Sequence, residues 1–76
     1  MTEYGVALFH TTSSVMKAEK LLVRKGYSTR LIPTPRQFSN DCGVALRFEW
    51  KRREPIESEL RSAGIEMSGL HQMPTV

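Results

Sequence analysis

The chain has 76 residues, 39% of them hydrophobic, with 11 Lys and Arg against 8 Asp and Glu and a formal charge of +3. That length leads us to expect one domain over residues 1–76, with an ordered core over about residues 4–70 and a loose tail, and it leaves no room for a large multi-domain enzyme. The single cysteine excludes an intramolecular disulfide and points to a reducing, cytoplasmic setting.

The first apolar run, residues 4–9, has no basic residue before it and is shorter than a signal peptide's hydrophobic segment, so no membrane partner is expected. It reads as a first strand over residues 4–10, and the capping residues Thr11, Thr12, Ser13 and Ser14 follow it. From residue 15 to 25, Val15, Ala18 and Leu22 recur on one side, with Lys17, Lys20 and Arg24 on the other. This predicts an amphipathic helix closed by Gly26. Residues 27–32 predict a second strand, ended by Pro33.

Residues 33–41 have no periodicity and make a loop longer than a simple hairpin needs, which suggests a functional segment. Residues 42–50 alternate clearly, with Val44, Leu46, Phe48 and Trp50 on one face and Ala45, Arg47 and Glu49 on the other. Lys51, Arg52 and Arg53 are expected as a solvated turn. Pro55 then stands at a first helical position, with Ile56, Leu60 and Ala63 forming an apolar stripe and Glu57 and Arg61 an exposed i,i+4 pair. Gly64 closes this helix, and residues 65–73 predict a fourth strand. Met16, Met67 and Met73 are read as packing.

The order β-α-β-β-α-β is that of an α+β, ferredoxin-like sandwich: an antiparallel sheet in the order 4-1-3-2 with both helices on one face. Its other face is expected to be open to solvent, a ligand or a second copy. An RNA-recognition domain shares this topology but displays aromatics from its third strand on the open face. Here Phe48 and Trp50 share the face of Val44 and Leu46. With only a mild positive charge as well, nucleic acid is not expected as a partner.

This topology brings one end of strand one, the start of helix one and the 33–41 loop to a common pole. His10, residues 11–14 and Cys42 should gather there, with residues 51–53 and His71 at the other pole. Cys42 has the parity of Val44, so it should lean toward the helices. A thiol near a helix N-terminus is biased toward thiolate. Arg36 would add a cation, His10 a proton acceptor, and Gly43 would allow close approach.

A lone cysteine is also a common buried hydrophobe, and the residues alone leave the two readings evenly balanced. Thr12, Ser13 and Ser14 are candidate anion ligands at the helix N-terminus, although ordinary capping also explains them. No Cys-x-x-Cys, His-Glu-x-x-His or Gly-x-Gly-x-x-Gly motif is present, and Cys42, His10 and Asp41 lack metal-ligand spacing. Neither a metal nor a cofactor is expected.

At Leu31-Ile-Pro-Thr-Pro-Arg36, followed by Ser39-x-x-Cys42-Gly43-x-Ala45-x-Arg47-Phe48, the chain resembles a family of small prokaryotic selenium/sulfur carrier-like proteins. Ala18-Glu19-Lys20-Leu21-Leu22 and Ala63-Gly64-Ile65 extend the likeness. The resemblance implies that Cys42 carries a terminal sulfur or selenium as a persulfide or selenopersulfide. Gly43 stands where sulfur carriers of tRNA thiolation are expected to have proline, which sets this chain apart from them.

The resulting expectation is a carrier rather than a stand-alone enzyme. It would be loaded by a donor such as a cysteine desulfurase and unloaded onto an acceptor protein, with Arg36 and Ser39 supporting the sulfur anion. A homodimer is a further partner to consider. The competing expectation is a non-catalytic dimeric regulatory or assembly module that binds an anion or small ligand at the pole formed by residues 33–41 and the first helix N-terminus.

Overall fold

The expected element order is present in the computed structural model, which describes residues 3–38 and 43–73. Strand β1 (Tyr4–Phe9) leads to helix α1 (Thr12–Arg24) and strand β2 (Thr29–Pro33), and a 3-10 turn (Arg36–Phe38) follows. Strand β3 (Val44–Glu49) runs through a second 3-10 turn (Trp50–Arg52) into helix α2 (Arg53–Ser62), and strand β4 (Met67–Gln72) completes the fold. The sheet is antiparallel in the order β2-β3-β1-β4, the ferredoxin-like arrangement that two interleaved crossovers require.

Helix α1 starts earlier than its apolar stripe suggests, because Thr11 caps it: the Thr11 hydroxyl oxygen accepts from the Ser14 N–H at 3.1 Å. Gly26 and Gly64 end the two helices with φ of 90° and 74°, left-handed positions that side-chain-bearing residues avoid. Helix α2 starts at Arg53, two residues before Pro55, because the preceding 3-10 turn runs straight into it. Proline is tolerated there, since N–H groups of the first turn have no intrahelical acceptor. Arg53 is half-buried rather than part of a solvated turn. Its guanidinium lies 4.9 Å from the Trp50 ring centre and donates to the Trp50 carbonyl at 3.1 Å. Lys51 and Arg52 are exposed.

The helices bury one face of the sheet. Val15, Ala18 and Leu22 of α1 and Ile56 and Leu60 of α2 close over Ala7, Phe9, Leu46 and Phe48. Phe48 and Trp50 stack with ring centres 6.1 Å apart, directly across Gly5. A Cβ at Gly5 would come within 2.6 Å of the Phe48 ring, so the rings require glycine there. Glu57 and Arg61 pair at 3.4 Å as expected, and Lys25 reaches Glu59 at 3.8 Å. Both pairs are substantially solvated and add little stability. Met67 and Met73 pack as expected, but Met16 is 44% exposed, because it falls between the buried positions Val15 and Ala18 on the turn of α1.

The opposite face is only partly open. Val6, Leu8 and Ala45 are buried there beneath Ile32, Phe38 and Met73. Phe38 comes from the 3-10 turn of the loop, and its ring stacks on His71 at 4.5 Å with the planes 6° apart. His71 lies toward the far end of β4, opposite Val6, yet its ring reaches back to meet the loop. The reason is Gly69, whose missing side chain leaves room for the imidazole: a Cβ there would sit 3.0 Å from Nε2. Among the described residues no helix is long and apolar enough to cross a membrane.

Candidate functional site

Pairing registers define one end of the molecule. Ala7 lies opposite Leu46, Pro33 opposite Val44 and Phe9 opposite Met67, so the last residues of β1 and β2 and the first of β3 and β4 share a pole. Helix α1 begins there, three residues after Phe9. His10, Thr12, Ser13 and Ser14, the Arg36–Phe38 turn and Gly43 thus belong to the same end, as the topology demands. Cys42, Ser39 and Asp41 lie outside the described residues, and so does any pairing of His10 with Cys42.

The two flanks of this segment are well anchored. The Thr34 N–H donates to the Gly43 carbonyl at 3.1 Å, which carries the β2–β3 pairing one step beyond the strands. On the other side the Phe38 N–H donates to the Pro35 carbonyl at 3.0 Å, and the Phe38 ring is held against the sheet by His71. Residues 39–42 join these two fixed points. Gly43 is exposed, and among the described residues nothing lies within 4 Å of a Cβ placed there.

The local charge favours an anion. Helix α1 presents its N-terminal N–H groups at this pole with no acidic residue in its first turn, and Arg36 is exposed in the turn after β2. Thr11 and Ser14 are already engaged: the Thr11 hydroxyl donates to the Ser14 Oγ at 3.1 Å while accepting the Ser14 N–H. Ordinary capping therefore accounts for Ser14, and Thr12 and Ser13 are exposed in the first turn of the helix. His10 is exposed at the end of β1. A recess of about 370 Å³ opens where α2 meets β4, lined by Glu57, Arg61, Gly64, Ile65, Glu66 and Met67. Its polar walls are the Glu57–Arg61 pair and Glu66, so it offers no concentrated charge of either sign. Among the described residues no group of three or more His, Cys, Asp or Glu could hold a metal.

Sequence reasoning missed Phe38 as the anchor of the loop. The one available signal was a lone aromatic within an otherwise polar, aperiodic stretch. It also missed Gly5, whose role depends on rings that arrive from β3 and the turn after it.

No curated protein and no solved structure matches the chain. The sequence model of the family described as Putative Se/S carrier protein-like matches residues 4–72, and the chain belongs to that family.

Proposed function

We propose that the protein is a sulfur or selenium carrier that works through Cys42. The observation that carries this reading is the family match over residues 4–72, a span containing the only cysteine of the chain. The anchored flanks, the α1 N-terminus and Arg36 support it, because carrier chemistry needs an accessible, partly ionised thiol and little other machinery.

In the loading step the Cys42 thiolate attacks the terminal sulfur of a donor persulfide, such as that of a cysteine desulfurase. A new S–S bond forms at Cys42, the donor's S–S bond breaks, and its electron pair leaves on the donor cysteine, which takes up a proton. Unloading repeats the exchange with an acceptor protein's thiolate attacking the terminal atom. No external oxidant or reductant is consumed in either step. With a terminal selenium the bookkeeping is the same. Ser39 would donate a hydrogen bond to the sulfur anion, His10 would accept the thiol proton, and Thr12 and Ser13 would extend the anion-favouring end. A single cysteine cannot resolve its own persulfide, so the cargo must end on another molecule, in a reducing compartment such as the cytoplasm.

The pH dependence of Cys42 alkylation tests this reading. A thiol pKa clearly below the free-cysteine value of about 8.5 is expected, rising when Arg36 is changed to Gln. A value at or above that reference, unchanged in Arg36→Gln, would favour a non-catalytic, dimeric binding module instead.

A further inference from the structure

Away from the loop pole, the open face of the sheet has a composition that the carrier chemistry does not use. One row of residues crosses all four strands: Arg30 lies opposite Arg47, Arg47 opposite Val6, and Val6 opposite His71. Like charges directly opposite on neighbouring strands are destabilising, and neither arginine has an ion-pair partner among the described residues. Arg47 instead sits over the Tyr4 ring, 4.2 Å from its centre, which fixes the guanidinium without using its N–H donors. The neighbouring ring pair, Phe38 and His71, stacks on the same face. Glu49 is the carboxylate of β3 on this side, and the exposed Lys51 and Arg52 follow it in the next turn.

We propose that this face binds single-stranded nucleic acid, with Arg30 and Arg47 on the phosphates and the rings of Tyr4 and His71 as platforms for the bases. Two features select this occupant. A cross-strand arginine pair is repaid by anions, and rings set beside guanidinium groups suit a chain that alternates phosphates with flat bases. A second copy fits poorly, because two such faces packed together would crowd four arginines with few carboxylates to balance them. An acidic protein would satisfy the arginines but would leave the rings unused. The expectation against nucleic acid rested on the mild net charge of +3 and on β3, whose aromatics do face the helices. The rings of the open face come from β1, β4 and the loop.

The test is fluorescence anisotropy of the full chain with labelled single-stranded RNA and DNA of one sequence, with duplex DNA and a poly-glutamate peptide as competitors. Single strands of one or both kinds should bind, more weakly as salt rises. The logarithmic salt slope should shrink by about 0.7 for each phosphate contact removed in Arg30→Gln or Arg47→Gln. Tyr4→Ala should weaken binding about fivefold or more, as expected for the loss of one stacked base. Lys17→Gln, on the far side of α1, should bind as wild type does, and so should Cys42→Ser, which separates this result from the thiol chemistry. The proposal is overturned if no single strand binds, if poly-glutamate competes as well as the oligonucleotides do, or if Lys17→Gln costs as much as Arg30→Gln. Thermal unfolding of each variant shows whether a loss of binding reflects a loss of fold, and the exposed Arg30 keeps at least one variant clear of that ambiguity.

Discussion

On the helix side of the sheet, Phe9, Leu46 and Phe48 are sealed in one cluster with the apolar stripes of two amphipathic helices. On the other side Val6, Leu8 and Ala45 are almost as completely buried, but what covers them is Phe38 from a loop, Ile32 from an edge strand and Met73 from the chain beyond β4. The first face is closed by regular elements with many mutual contacts, and the second by a few side chains that must be held in place. A short chain has little apolar surface to spend on two layers. Here the loop leading to residues 39–42 supplies part of the second layer, which ties the candidate carrier segment to the packing of the sheet.

That asymmetry predicts a graded series of stability losses. Phe48→Ala should be the most damaging, at about 3–5 kcal/mol by urea denaturation, since it empties the centre of the helix-side core. A loss no greater than that of Phe38→Ala would break the comparison. Gly5→Ala should cost about 1–3 kcal/mol by overpacking, because the added methyl collides with the Phe48 and Trp50 rings. Full stability in that variant would mean that the rings can part without penalty. Phe38→Ala should cost only about 1 kcal/mol, in keeping with a half-buried ring. It should nevertheless speed amide exchange in the Arg36–Phe38 turn, while the central strands β1 and β3 keep their protection.

The comparison also marks what the sequence could reveal. The strand order follows from two helical crossovers in one sheet, and the helix-facing set Val44, Leu46 and Phe48 follows from strict alternation. The shared pole needs only that same topology. Phe38 was illegible because a 3-10 turn in an aperiodic loop has no face that spacing can assign. The contact of the His71 ring with the loop was hidden because its direction depends on the empty position at Gly69, two residues away on the same side of β4. Pairing across strands was equally hidden: nothing in the spacing of Arg30 and Arg47 shows that β2 and β3 set them directly opposite. For the candidate site, the chain itself singles out Cys42, the flanking residues define the anchors, and the cargo comes from the family.

The central claim is that Cys42 accepts a chalcogen atom and passes it on. Its most direct test is intact-mass analysis after incubation with a cysteine desulfurase and cysteine. Wild type should gain one sulfur that a reductant removes and that transfers to an added acceptor thiol, while Cys42→Ser gains none. Equal labelling of wild type and Cys42→Ser, or no labelling of either, would contradict the account.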